Sequence, residues 1–277
     1  MNFNSEKMYH IGLHPEQGAG YVLLTGDPGR VESIARRLDS PEPVACNREY
    51  TSWAGNLAGR RMLVISHGIG GPSTAICVEE LVKCGAHTLI RVGTCGGMAH
   101  KVVGGDLVVA SAAIRQEGTS REYLPVEFPA AADFAVTRAL ADSAARLGHP
   151  AHTGVVHCKD SFYGQHSPEA SPVAPWLKLQ WQAWLKGGCL ASEMESAALF
   201  ILAASLGVRA GCVLTAIWNQ ERAAAGLSNP RCEDSGPAVE TALEALRILM
   251  DEAGYSWDES WEITRNSVAY TNHTVLA

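Results

Sequence analysis

The sequence predicts an α/β fold: a mixed, mostly parallel sheet covered by helices on both faces. Two observations predict it. Apolar runs of strand length alternate with helix-period segments between residues 21 and 252, the pattern that parallel strands joined by helical crossovers impose. Two of those runs also end in glycines and an arginine, Gly26-Asp27-Pro28-Gly29-Arg30 and Arg91-Val92-Gly93-Thr94-Cys95-Gly96-Gly97. Glycines at a strand's carboxyl end let the backbone approach a ligand, and an Arg offers a planar fork of donors to an oxyanion. Taken singly, either loop is also an ordinary strand-to-helix turn with a surface Arg; as a pair they suit one phosphate-sized anion.

In chain order, strands are expected at 21–25, 44–57 as a hairpin-like pair, 61–67, 88–92, 106–114, 151–158 and 208–217. Helices are expected at 28–38, 72–84, 133–147, 173–186, 195–206 and 236–252. The last is the clearest, with Val239, Ala242, Leu243, Leu246, Leu249 and Met250 on one helical face. No linker, repeat or low-complexity tract divides the core, so residues 1–254 read as a single domain. The polar tail 255–277 has little periodicity, which leaves open whether it packs on a neighbour or stays disordered. The segment 160–176 reads as an irregular loop of functional length.

In a chain of 277 residues, an apolar content of 47% permits a substantial core. A net charge of −7 with no basic block gives no footprint for nucleic acid or an anionic membrane. A small anion must then be held by a few placed arginines. There is no run of about 18 apolar residues and no basic segment leading an apolar core at the start, so a cytoplasmic protein is expected. The eight cysteines show no C-x-x-C spacing and the ten histidines are dispersed; the thiols read as reduced and buried, and no transition-metal site is expected.

Two further motifs carry chemistry. His67-Gly68-Ile69-Gly70-Gly71-Pro72-Ser73-Thr74 follows a strand and opens a helix at Pro72, offering free backbone N–H groups to a polar ligand; a plain capped turn explains it equally well. Its spacing is not the dinucleotide fingerprint. Ser192-Glu193-Met194-Glu195-Ser196 precedes an apolar helix. Acidic residues there complement the helix dipole, and ionised carboxylates also accept several hydrogen bonds from sugar hydroxyls.

With these motifs, and with Asn47-Arg48-Glu49-Tyr50 and Asp160-Ser161-Phe162-Tyr163-Gly164-Gln165, the chain resembles the nucleoside phosphorylase-I family over residues 8–252, and within it the uridine phosphorylases. The resemblance implies a three-layer α/β/α fold of the phosphorylase/hydrolase-like kind, assembled as a hexamer built from a trimer of dimers. It implies phosphorolysis of a nucleoside to a free base and a pentose 1-phosphate, in pyrimidine salvage or catabolism, with phosphate as co-substrate and no organic cofactor. Residue by residue, it implies that Gly26, Arg30, Arg91 and Thr94 bind phosphate, with Arg48 reaching in from the partner subunit. Met194 and Glu195 bind the ribose, joined by His10 of the partner subunit. Phe162 and Gln165 meet the base, with Glu193 in the motif of the ribose contacts. From the residues themselves, Ile217, Trp218 and Arg222 are expected near the base pocket, where Trp218 either stacks on the base or fills core. Arg91, Glu195 and Arg30 then carry the catalysis. Glu49, Ile69 through its backbone, and Ser73 match the ligands of a potassium-like cation between two subunits.

The sequence departs from that pattern in one respect: the Arg that usually follows the base-reading Gln is missing from Gln165-His166-Ser167-Pro168. Arg222 or His166 is the expected substitute. Purine-specific relatives carry an Asp after the last core strand, where Ala216-Ile217-Trp218-Asn219-Gln220 has no carboxylate; pyrimidine chemistry is therefore expected. A purine nucleoside phosphorylase, a nucleosidase of the same superfamily and a non-catalytic nucleoside-binding protein are the competing readings.

Overall fold

The computed structural model describes residues 7–252. Its strands are β1 (Tyr21–Thr25), β2 (Asp39–Asn47), β3 (Tyr50–Leu57), β4 (Arg60–Ser66), β5 (Thr88–Gly97), β6 (Leu107–Gln116), β7 (Ala130–Ala131), β8 (Ala151–Lys159), β9 (Ala191–Glu193) and β10 (Arg209–Asn219). Its helices are α1 (Val31–Ala35), α2 (Gly71–Lys83), α3 (Phe134–Leu147), α4 (Phe162–His166), α5 (Ala174–Lys186), α6 (Ser196–Leu206), α7 (Gln220–Ala224) and α8 (Gly236–Glu252).

Strands β4, β1, β5 and β10 lie side by side and parallel, with Leu23 opposite Val64 on one side and Ile90 on the other. Side chains alternate between the two faces of such a sheet, and they sort cleanly here. Val22, Leu24, Leu63, Ile65 and Leu89 join the core under α2 and α6. Tyr21, Leu23, Met62, Val64 and Ile90 join the core under α1, α3 and α8. The result is the three-layer arrangement expected. Helix α6 is buried at every position from Ser196 to Ala203, which a helix apolar all round requires. All six predicted positions of α8 are buried.

The sheet is mixed, and its antiparallel pairings close it. Beyond β10 the order runs antiparallel to β6, parallel to β8 and parallel to β9, and β9 returns antiparallel to β5 through Gly96 opposite Ser192. Five strands therefore form a ring, with β1, β4, β3 and β2 as its extension. Bulges in β6 at Ala110/Ala112 and in β10 at Ala216/Trp218 curve the long strands toward closure.

Several boundaries differ from the sequence reading. The helix expected at 28–38 is a 3-10 turn, Pro28–Arg30, followed by the short α1. Strand β5 runs to Gly97 rather than stopping at 92, because β9 and β10 pair with its glycines, which local propensity disfavours. The segment read as irregular holds α4, whose Ser161 hydroxyl caps it by accepting from Gly164 N at 2.9 Å, and a 3-10 turn, Pro168–Ala170. The tail 255–277 lies outside the described residues. No described helix is long and apolar enough to cross a membrane.

Candidate active site

The carboxyl ends of β1, β5 and β8 meet the start of α2 and the β9–α6 junction around a cavity of about 870 Å³. Each edge is shaped locally. After β1, Asp27 accepts from Gly29 N at 2.8 Å and tightens the turn that carries Arg30 to the cavity wall. After β4, Gly70 adopts φ +87°, open to glycine, and turns the chain into α2. His67, just before it, is fully buried and held neutral, its pKa lowered to about 3 by burial and then by the charge of Arg91. At the end of β10 the bulge brings successive residues, Ile217 and Trp218, onto the same wall; in a regular strand they would face opposite sides.

Arg91 is the electrostatic centre. It lines the cavity yet is only 4% exposed. Its Nη2 donates to Glu195 Oε2 in a short contact, and its Nη1 lies 3.6 Å from Glu193 Oε2. Burial works against its charge, but Glu195 and Glu193 outweigh that and raise its pKa, so it stays a guanidinium. Its Nε has no protein acceptor. Glu195 ties three elements together, because its Oε1 also accepts from Gly70 N at 2.7 Å. One positive charge thus sits against two negative ones, and a bound dianion needs further cations. Arg30 and Lys159 are candidates on the same wall.

The cavity also gathers Gly26, Thr94, Phe162, Gln165, His166 and Met194, all expected from sequence, together with Glu49, Ile69 and Ser73. Two expected base contacts are differently employed. Arg222 does not line the cavity: its Nε donates to the Ser228 carbonyl at 2.7 Å and its Nη1 to that of His100. Glu193 lines the wall, but its carboxylate accepts from Glu195 N at 2.8 Å, Ser196 N at 3.0 Å and the Ser196 hydroxyl, capping α6 and flanking Arg91. His10 and Arg48 stand apart from this chain's own cavity. His10 Nδ1 lies 2.7 Å from Glu80, and Arg48 is exposed at the β2–β3 turn with φ +54°. Both lie near Asn47, whose Nδ2 donates to His10 O at 2.7 Å.

Sequence reading missed Lys159 and Arg231 on the wall and gave Ser192, within its motif, no role. Lys159 had a signal, a lysine closing the apolar strand that leads into the Phe162–Gln165 motif. Arg231 is largely exposed and pairs with Glu233. Asn219, at the end of β10, is fully buried. Its Nδ2 donates to Ala99 O and Val102 O, and its Oδ1 accepts from Glu221 N and Arg222 N.

Residues 21–253 match the model of the phosphorylase superfamily. The chain belongs to that superfamily. It is 50% identical to the uridine phosphorylase of Treponema pallidum over 250 residues, which cover 90% of this chain and 97% of the relative. Against the uridine phosphorylase of Salmonella typhimurium it is 40% identical over 248 residues, 88% of this chain and 98% of the relative. A guanosine phosphorylase of Halorubrum lacusprofundi is 38% identical over 194 residues, 70% of this chain and 76% of the relative.

Proposed function

We propose that the chain is a uridine phosphorylase, a pentosyltransferase that cleaves uridine with phosphate to uracil and ribose 1-phosphate. The observation that carries this reading is Arg91, buried at the mouth of β5 between Glu193 and Glu195, together with identity of 40–50% to uridine phosphorylases over most of the chain. The phosphate oxygen attacks C1′ as the bond to the base breaks, and positive charge grows on the sugar. A fixed anion on one face and hydroxyl contacts that strengthen with that charge lower the barrier. Arg91, Arg30, Thr94 and Gly26 hold the phosphate; Glu195 and Met194 hold the ribose. An ionised carboxylate has about four lone-pair sites, so Glu195 keeps capacity for hydroxyls beside its two protein donors.

The site is completed by a second subunit. Arg48 and His10 of the partner subunit enter the cavity, and Arg48 supplies the cation that the Arg91–Glu193–Glu195 charge balance calls for. The assembly is a trimer of such dimers. Glu49, Ile69 and Ser73 offer one carboxylate, one carbonyl and one hydroxyl, a hard oxygen set that fits half the shell of a monovalent cation. Six of the eight cysteines are buried as free thiols, in keeping with a reducing cytoplasm and a place in pyrimidine salvage.

The deciding assay is release of free base from uridine, 2′-deoxyuridine, thymidine, cytidine, inosine and adenosine, with and without phosphate. Phosphate-dependent release from uracil nucleosides is expected. Release from inosine alone would reassign the base, and release without phosphate would make the chain a nucleosidase.

A second expectation follows from Gly93. A Cβ built there lies 2.4 Å from Arg91 Nη1 and 2.8 Å from its Cζ, so the glycine leaves the space the guanidinium fills. Gly93→Ala is expected to push Arg91 from between its carboxylates and lower turnover on the order of 10²-fold, with a raised KM for phosphate. An unchanged phosphate KM would show that Arg91 shifts without consequence.

A further inference from the structure

We propose that Lys159 is the catalytic cation of the base subsite, stabilising the negative charge that departs with the pyrimidine. This deepens the uridine phosphorylase reading and rests on it. Lys159 closes β8, lines the cavity and is 7% exposed. Its Nζ donates to the Ser192 hydroxyl at 2.7 Å and, at 3.5 Å, to the carbonyl of Glu193. Both acceptors are neutral. Among the described residues no carboxylate forms an ion pair with it, for Glu193 and Glu195 are paired with Arg91. Burial lowers its pKa more than the nearby charges of Glu193 and Glu195 raise it; such an ammonium is costly, and an incoming anion relieves that cost.

The position is set by Gln165. The Ser192 hydroxyl that accepts from Lys159 donates in turn to Gln165 Oε1 at 2.9 Å, so the ammonium stands one hydroxyl away from the amide that reads the base. The other candidates at this end are accounted for. Arg222 is turned onto the Ser228 and His100 carbonyls. Arg231 is exposed and paired with Glu233. His166 lines the wall, but burial and then Lys159 lower its pKa, which leaves it uncharged near neutrality. The cation missing after Gln165 in sequence is therefore supplied from β8.

The chemistry needs a charge there. When the C1′–N1 bond breaks, its electron pair passes to the base and spreads over N1 and the two carbonyl oxygens of uracil. The phosphate oxygen has taken the bond to C1′, and the uracil anion later takes a proton from water. A fixed ammonium in a site of low dielectric stabilises that anion most in the transition state, where the charge is forming.

The test compares wild type, Lys159→Met and Lys159→Arg on uridine and 5-fluorouridine, whose base is the more stable anion. Lys159→Met is expected to lower kcat on uridine roughly 10²- to 10³-fold, to lower it about tenfold less on 5-fluorouridine, and to leave the phosphate KM nearly unchanged. Lys159→Arg is expected to recover part of the loss. Equal losses on both nucleosides, or no loss, would overturn the assignment, because a role confined to packing is blind to the leaving group. A second readout needs no turnover: calorimetric binding of 5-fluorouracil across its ionisation. Wild type is expected to favour the anion at least tenfold more than Lys159→Met does, and equal preference would overturn the proposal. A wild type that binds the anion through Lys159 but releases no base from uridine would instead sink the functional reading.

Discussion

Arg91→Ala is expected to lower kcat/KM by about 10³-fold or more and to raise the phosphate concentration needed for half-maximal rate. One guanidinium fork is worth at least as much as a single preorganised donor, which alone accounts for roughly 10²–10³ in rate. Stability should fall as well. Without Arg91, Glu193 and Glu195, each 4% exposed, face one another with no cation between them, and breaking a buried pair costs about 3–5 kcal/mol. Arg91→Lys separates the two effects, since it keeps the charge and loses the fork. Thermal unfolding with phosphate titration checks all three proteins. Ordinary phosphate dependence in Arg91→Ala would remove this residue from the phosphate site. Mixing Arg91→Ala with Arg48→Ala subunits under exchange extends the test, for some active sites then hold both arginines. A dead mixture with proven exchange would count against a site shared between subunits.

How much of this was legible beforehand depends on how local each determinant is. Helix α8 was legible because Val239 to Met250 repeat at helical spacing over several turns, and the β1 and β5 loops because glycine and arginine at a strand end have few other uses. Strand β9 was not. Three residues, Ala191 to Glu193, have no period to read, and they become a strand only because Gly96 and Val156 lie on either side of them. Closing the sheet is likewise non-local. That closure sets Lys159 beside Ser192, a neighbour that no local pattern reveals, whereas Arg222 and His166 follow Gln165 or β10 closely enough in sequence to be considered for the base end. Glu193 shows the same limit. Sequence marks it as one of two similar carboxylates in a motif, whereas the hydrogen bonds divide the work: Glu195 faces Gly70 and the cavity, Glu193 the amides of α6. His10 and Arg48 were set in a partner's site by resemblance alone, and a single chain, in which neither lines the cavity, does not test that assignment.

The division of labour between the two glutamates predicts a loss of stability as large as that of Arg91→Ala. Glu193→Ala removes the acceptor for Glu195 N, Ser196 N and the Ser196 hydroxyl, all buried at the start of a helix with no access to water. Each orphaned buried donor costs about 1–3 kcal/mol, though losses at one site share their relaxation. A total of roughly 3–5 kcal/mol is expected, on the order of a 10 °C fall in Tm for a chain of this size. Glu193→Gln keeps a carbonyl acceptor in nearly the same place and should lose about 1 kcal/mol. Differential scanning calorimetry of the two variants decides whether cap or charge matters more. If Gln is as harmful as Ala, the carboxylate serves chiefly to balance Arg91, and its contacts to α6 are secondary. If Gln is mild in stability yet slow in turnover, Glu193 holds the fold by its hydrogen bonds and tunes Arg91 by its charge. That second outcome is expected, since Nη1 of Arg91 is 3.6 Å from it and makes no direct hydrogen bond.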